Sequence, residues 1–359
     1  MTRRTVVVLF MMFFTVVLRS EPVHGAGIPN LEDLKKLPIA GHMTRVARKE
    51  IEKYVVYQVE QLEKAGKVVD VVKARKALTD GYNAHNTQPW QVAYAEISSK
   101  KIPVLLNLAD RVKQIQAAMA IAKMPQYTIQ PALEKMAMHK NPAVRYWAVR
   151  GYRPSVRKML LYPERAKKML ATLKRLGTKE SGPILSVVLR TLNINTVGGK
   201  GPVRFMRPIL DKVWTARLKD LRDGKDGIID AYRKAVIFFD PADKPDKEKV
   251  LQMLVDTLEA ASKGFGKSVS SKKKADYQSW ISLLSGVENK LAELTKTDKT
   301  PIQDILSDSK KSMEEKSTEV SLTINEYWKP ILAKLGVKPR TTPTTATKPV
   351  KTPTTKPPL

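Results

Sequence analysis

Apolar residues recur along this chain at the spacing of one face of an α-helix. The clearest stripes lie at 51–62, 250–261 and 280–294, where they follow the i, i+3, i+4, i+7 pattern rather than the alternation of a strand. Gly66 follows the first stripe and Gly264 the second, so each helix is expected to end at its glycine. The pattern predicts an all-α fold of about a dozen helices.

A repeat of about 40 residues occupies the middle of the chain. Sliding the sequence by that distance places apolar residues on apolar residues, in two helices separated by a polar turn. The superimposed pairs are Leu133 with Leu173, Met136 with Leu176, Val144 with Ile184, Ala148 with Val188, Val149 with Leu189 and Tyr152 with Leu192. Two helices per period predict a solenoid of antiparallel helix hairpins, in which each hairpin buries its apolar faces against its neighbours.

The segment 133–152 resembles a HEAT repeat. The residues that carry the resemblance open the second helix of the segment: Asn141, Pro142, Val144, Arg145 and Ala148. Two positions depart from the family pattern, because His139 stands where the turn usually carries an acid and Leu185 stands where a second copy of Arg145 would be. The resemblance implies a curved α-solenoid that serves as a scaffold or docking surface, as in exported bacterial HEAT-like proteins. It also implies structural roles for Asn141, Pro142 and Arg145, with the arginine bonding across neighbouring turns.

The first residues are typical of a signal peptide. Arg3 and Arg4 precede an apolar run at 6–18, which is too short to span a bilayer. Small residues follow, and cleavage is expected after Gly25, with Ala26 as the alternative. We therefore expect an exported protein, periplasmic or extracellular, whose mature chain has no transmembrane span.

Composition divides the rest of the chain into three parts. Residues 336–359 are rich in Thr, Pro and Lys and contain no acid, so a disordered tail is expected there. A HEAT-like repeat domain is expected at 26–269. A helical segment at 270–335 either continues the solenoid or packs separately.

The charge of the chain points to an anionic partner. Lys and Arg number 64 against 35 acids, which gives a net charge of +29, and there is no cysteine to form disulfides or thiolate sites. Eleven basic residues and one acid lie between Lys140 and Arg175. Arginine suits phosphate and carboxylate through its planar fork. The candidate polyanion-binding residues are Arg150, Arg153, Arg157, Lys158, Arg165 and Lys168. A general, solvated basic face is the alternative interpretation.

Catalytic motifs are scarce. His42, His85 and His139 are far apart and lack metal-ligand spacing, so no metal site and no cofactor are expected. The stretch 264–268 ends like a phosphate-binding loop, but Ala261 stands where that loop requires a glycine. We therefore expect a non-enzymatic scaffold or binding protein that docks a protein or an acidic polymer such as a wall polymer. Two alternatives remain: a nucleic-acid-binding protein with a basic concave face, and a hydrolase of anionic polysaccharide. The sequence leaves the oligomeric state open.

Overall fold

The computed structural model describes residues 30–38, 43–193, 200–225 and 227–337. These residues form α-helices, short 3-10 turns and one π-helical turn, and none of them forms a strand. The all-α prediction is therefore confirmed. The predicted signal peptide lies outside the described residues, and so does the predicted tail beyond Val337.

The helices follow one another with short connections. Their bounds are α1 Leu31–Lys35, α2 Arg45–Lys64, α3 Val68–Tyr82, α4 Gln88–Lys101, α5 Arg111–Ala122, α6 Gln130–Ala137, α7 Pro142–Leu160, α8 Pro163–Lys179, α9 Gly182–Leu192, α10 Lys200–Arg222, α11 Ile228–Val236, α12 Lys244–Ser270, α13 Lys274–Thr295, α14 Pro301–Ser307, α15 Met313–Thr323 and α16 Lys329–Lys334. The 3-10 turns are Ile102–Asn107 and Tyr127–Ile129, and the π-helical turn is Ile324–Trp328.

The contacts between helices show that they pack in two layers. In the first layer α2 packs on α4, and the series continues through α6, α8 and α10 to α12. In the second layer α3 packs on α5, and the series continues through α7, α9 and α11 to α13. Each first-layer helix also contacts the second-layer helix that follows it in the chain. This neighbour order is the one that stacked antiparallel hairpins produce.

The two copies of the 40-residue pattern occupy equivalent places in these layers. The first copy spans α6 and α7, and the second spans α8 and α9. All the superimposed apolar residues are buried, from Leu133 and Leu173 in the first-layer helices to Tyr152 and Leu192 in the second-layer helices. The apolar pattern thus marks the faces that each hairpin turns toward its neighbours.

One hydrophobic core runs through all the hairpins. It extends from Leu34 in α1 to Val337 beyond α16, and it includes the fully buried indoles of Trp90, Trp214 and Trp328. The segment 270–335 belongs to this core, because its α13 packs on both α11 and α12 and its α15 packs on α12. The apolar side chain of Val337, assigned to the tail from composition, is buried as well.

The helix expected to end at Gly264 continues for six more residues, to Ser270. The prediction was wrong because Gly264 does not form a turn at the end of the helix. It lies inside the helix, where a neighbouring side chain leaves no room for a larger residue. A Cβ atom at this position would lie 2.3 Å from the Trp280 ring and 3.0 Å from the Leu221 carbonyl oxygen. The glycine therefore lets α13 approach α12 closely, and the stretch 264–268 is helical rather than a phosphate-binding loop.

Within the described ranges, no helix combines the length and the apolar character that crossing a bilayer requires.

Candidate functional site

The most basic part of the sequence folds around α7, and its start is fixed by local chemistry. The Asn141 side chain accepts a hydrogen bond from the Ala143 backbone N–H at 3.0 Å and so caps the helix. Pro142 occupies the first helical position, where its missing N–H is not needed. The Asn141 backbone N–H donates to His139 Nδ1, and His139 Nε2 contacts the Leu106 carbonyl oxygen at 2.9 Å.

Arg145 joins the turn before α7 to the turn before α9. Its guanidinium donates to both carboxylate oxygens of Glu180, at 2.7 and 3.1 Å. It also donates to the carbonyl oxygens of His139 and Lys140, at 2.8 and 2.9 Å. Both partners of the ion pair are mostly buried. Arg145 therefore holds the turn of its own hairpin and joins it to the neighbouring hairpin through Glu180.

Three arginines line one cleft on the second layer, which we call the arginine cleft. Arg153 and Arg157 lie one turn apart on α7, and Arg190 lies in the last turn of α9. The cleft has a volume of about 360 Å³. Its described lining residues are Arg153, Pro154, Arg157, Arg190, Thr191, Asn193 and Phe238. This lining contains no carboxylate to balance the three cations.

Two polar groups of the cleft lack hydrogen-bond partners among the described residues. Arg190 Nε is buried and makes no hydrogen bond, and the same holds for the hydroxyl of Thr191, whose side chain is only 2% exposed. Partial burial lowers the pKa of Arg153 from its ordinary value, and the charges of Arg190 and Arg150 lower it further. Like charges therefore crowd this part of the surface, which favours an anion between them.

The wall and floor of the cleft are rigidly supported. Phe238 packs under the guanidinium of Arg190, with its ring centroid 4.8 Å from Cζ. Asn193 donates to the Ala235 carbonyl oxygen at 3.1 Å and accepts a hydrogen bond from Arg207 Nη1 at 3.0 Å. Arg207 is itself buried, so the floor is fixed to the core behind it.

Arg150, predicted to share a binding face with Arg153 and Arg157, lies beside the cleft rather than in its lining. Its guanidinium stacks over the rings of Tyr146 and Trp147, at 5.9 and 5.4 Å from their centroids. It also donates to the Tyr146 hydroxyl at 3.2 Å. Arg150 adds positive charge near the cleft, and the aromatic contacts hold its side chain in place.

The other predicted binding residues lie away from the cleft. Lys158 donates to the Pro125 carbonyl oxygen at 3.1 Å, and Arg165 donates to that of Tyr127 at 2.7 Å. Arg165 also stacks on the Tyr127 ring, 5.1 Å from its centroid. Lys168 is exposed on α8, in the first layer. The basic segment is thus divided between two sides of the structure.

Arg190 was missed by the sequence analysis, because it lies beyond the dense segment 140–175. A signal for it was nevertheless present. The 40-residue slide that superimposes the two repeat copies places Arg190 on Arg150, so each copy carries an arginine at the same point of its second helix. Charge that recurs with the repeat identifies a continuous face better than charge density along the sequence does.

Neither metal-binding side chains nor comparisons with known proteins assign a further site or a family to the described part of the chain. In the part of the chain that the structure describes, no three His, Asp or Glu side chains are grouped closely enough to hold a metal ion. No known family model matches this chain, and no curated protein matches it in sequence. The resemblance to HEAT repeats therefore rests on the segment 133–152 and stays a prediction.

Proposed function

We propose that this protein is a non-catalytic binding protein that docks an acidic polymer or an acidic protein surface at the arginine cleft. The observation that carries the proposal is the convergence of Arg153, Arg157 and Arg190 in one cleft whose described lining has no acid. Uncompensated cations in a concave site concentrate positive potential there, which raises the local concentration of an anionic ligand.

The wider charge distribution supports the same proposal. The chain carries a net charge of +29, so a polyanion is attracted before it reaches the cleft. Arginine forks bind phosphate and carboxylate oxygens in pairs, and this adds geometric selectivity to the attraction. A hydrolase of anionic polysaccharide would need two carboxylates at the reacting bond. The described lining residues of the arginine cleft supply none.

The stacked hairpins suit a docking role, and the sequence suggests where it takes place. Stacked hairpins present extended surfaces that can follow a long ligand. If residues 1–25 direct export, as their pattern predicts, the partner lies in the periplasm or outside the cell. An acidic wall polymer is then the leading partner, and duplex DNA is the alternative that an experiment must exclude.

The test is a binding titration of the purified chain against an acidic wall polymer, duplex DNA and anionic lipid vesicles. Each is measured at about 50 and about 200 mM salt, because binding driven by counterion release weakens steeply over that range. The key variant combines Arg153→Ala, Arg157→Ala and Arg190→Ala. We expect wall-polymer binding to weaken about tenfold or more in this variant.

The matched control removes the same number of charges from the first layer, with Lys167→Ala, Lys168→Ala and Lys174→Ala on α8. These lysines are exposed. We expect the control to lose only the small share of affinity that solvated charges provide. Equal losses in the two variants would reduce the proposal to attraction by net charge. Tightest binding to duplex DNA, dependent on the same arginines, would replace the wall polymer with nucleic acid.

A further inference from the structure

The arginine cleft has features of a site built for one compact anionic group. Thr191 is 2% exposed and lines the cleft, yet its hydroxyl has no hydrogen-bond partner among the described residues. The buried Nε of Arg190 also lacks a hydrogen-bond partner in the described part of the chain. Buried polar groups in folded proteins are usually paired, so two unpaired groups on adjacent lining residues are typical of a binding site rather than of a packed core.

We infer that this cleft binds a phosphate monoester group, with the guanidinium groups of Arg153, Arg157 and Arg190 surrounding its oxygens. The inference rests on the proposed anion-binding function and specifies the group that the ligand presents. A phosphate monoester has three terminal oxygens and a charge of about −1.5 to −2 at neutral pH. Three guanidinium forks can donate to all three oxygens, and their three positive charges more than balance the charge of the group.

Other anions match the cleft less well. A phosphate diester offers only two unesterified oxygens and a single charge, and a carboxylate likewise offers two oxygens. Either would leave one of the three arginines without a partner, because the described lining residues include no acid. Inorganic sulfate has the charge of a phosphate dianion but is not protonated near neutral pH. A comparison of sulfate with phosphate across pH therefore isolates the contribution of the second phosphate charge.

The dimensions of the cleft leave room for the rest of the ligand. Its volume is about 360 Å³, whereas one water molecule occupies about 30 Å³ in the liquid. The ring of Phe238, held against Arg190, gives the cleft an apolar wall. A monoester attached to a sugar or glycerol unit fits this combination of cationic and apolar surface.

The sources of such a group are a free small phosphate monoester and the phosphorylated end of a polymer. The first arm of the test is calorimetry of the purified chain with inorganic phosphate, glycerol 3-phosphate, dimethyl phosphate and sulfate. We expect glycerol 3-phosphate to bind about tenfold or more tightly than dimethyl phosphate. The second arm compares a wall polymer before and after phosphatase treatment.

The pH dependence separates the monoester from other dianions. The second phosphate pKa is about 6, so the dianion fraction, and with it the affinity, rises about fourfold between about pH 5.5 and about pH 7.5. The charged groups that face the ligand are Arg153, Arg157 and Arg190, with Arg150 beside them, and arginine stays charged throughout. Sulfate affinity is therefore expected to stay constant.

Variants identify the residues. Arg153→Ala and Arg157→Ala change exposed side chains and keep the core intact. We expect each to weaken glycerol 3-phosphate binding about tenfold. Arg190→Lys keeps the charge but loses the fork, and we expect a similar loss. Arg157 and Arg190 also lie in last helical turns, where the helix dipole stabilises a cation. Lower thermal stability with unchanged monoester affinity would show that they serve only the helix ends, and would overturn the inference.

The remaining outcomes separate this inference from the proposed function. Monoester binding that rises with pH, together with loss of polymer binding after phosphatase treatment, would support the inference and name the polymer end as the source. Monoester binding with unchanged polymer binding would support it with a free small molecule as the source. Equal, pH-independent binding of sulfate and phosphate would overturn it. Polymer binding that needs the arginines but resists phosphatase, without monoester binding, would overturn it while the proposed function stands.

Discussion

Two arginines one turn apart on α10 make ion pairs of the same kind in very different surroundings. Arg207 Nε donates to Asp246 Oδ1 at 2.8 Å, and the two side chains are only 2% and 7% exposed. Arg204 Nη2 donates to Asp243 Oδ2 at the same distance, but its side chain is 66% exposed. Both pairs span 39 residues and so connect successive first-layer helices. The chain therefore allows a buried arginine–aspartate ion pair to be compared directly with an exposed one.

Arg207→Met should lower the free energy of unfolding by about 3–5 kcal/mol, because it leaves the Asp246 carboxylate buried without its cation. The matched variant Arg204→Met should cost less than about 1 kcal/mol, because water screens the exposed pair. Urea unfolding of both variants at neutral pH measures the difference. Equal effects would mean that the buried pair is no more important than the exposed one.

Arg207→Met should also weaken anion binding, because Arg207 holds Asn193 in the cleft floor.

At this scale the sequence could predict which segment is basic but not which way each side chain turns. Arg153 and Arg157 were both predicted to bind polyanions, and their spacing of one helical turn places them on the same face of α7. Lys158 follows Arg157 directly in sequence, but it donates to the Pro125 carbonyl oxygen and does not line the cleft. Which neighbour a side chain meets depends on the packing of the hairpins. One unaligned sequence does not contain that information.

At the scale of elements, α12 and α13 approach each other closely around one glycine. The indole of Trp280 lies against Gly264, where a Cβ atom would be 2.3 Å from the ring. Gly286 is equally helical, but nothing lies within 4 Å of its Cβ position. Hydrophobic periodicity predicted both helices, whereas the meaning of the glycine depended on a contact between them. This is why the expected helix end at Gly264 was wrong.

Gly264→Ala should lower the free energy of unfolding by about 1–3 kcal/mol, because the added methyl group forces α12 and α13 apart. Gly286→Ala should raise it by about 0.5–1 kcal/mol, because alanine restricts the unfolded chain and favours the helix. Thermal and urea unfolding measure both changes. A stabilised Gly264→Ala variant would show that the indole can move aside at little cost.

The end of the helical array depends on one buried acid. Glu288 of α13 accepts hydrogen bonds from the backbone N–H groups of Ile302 and Gln303, at 2.9 and 2.7 Å. It also accepts one from Trp328 Nε1 at 2.9 Å. Burial raises the pKa of Glu288 above its ordinary value of 4.5, and the three donors oppose that rise. A single carboxyl group therefore joins α13 to α14 and to the π-helical turn.

The raised pKa of Glu288 determines the direction in which its contribution to folding stability changes with pH. The folded chain holds the Glu288 proton more tightly than the unfolded chain, so the contribution to folding is fully present below the unfolded pKa and is lost as pH rises through the folded pKa. The stability of the natural chain minus that of Glu288→Gln should therefore fall as the pH rises above the ordinary pKa of 4.5. Urea unfolding at several pH values gives this difference directly. A difference that stays flat or rises would contradict the raised pKa.

At the scale of the whole molecule, contacts follow the order of the chain. Each helix in a layer packs on the helix two positions along, and one core passes through all the hairpins from α2 to α13. The 40-residue period predicted this neighbour order for the two central hairpins only. The flanking hairpins repeat the arrangement without repeating the sequence, because many combinations of apolar residues fill the same space.

Stability should therefore be local along the array, as in proteins whose units contact only their neighbours. Leu62→Ala in α2 and Leu291→Ala in α13 each open a cavity at a fully buried side chain, and each should cost about 2–5 kcal/mol locally. In hydrogen exchange, Leu62→Ala should speed exchange in α2 to α5 and leave α10 to α13 protected, and Leu291→Ala should do the reverse. Faster exchange throughout both variants would show that the hairpins unfold as one cooperative unit. Local opening would instead mean that a ligand in the arginine cleft stabilises the central hairpins first, because α7 and α9 supply most of its lining.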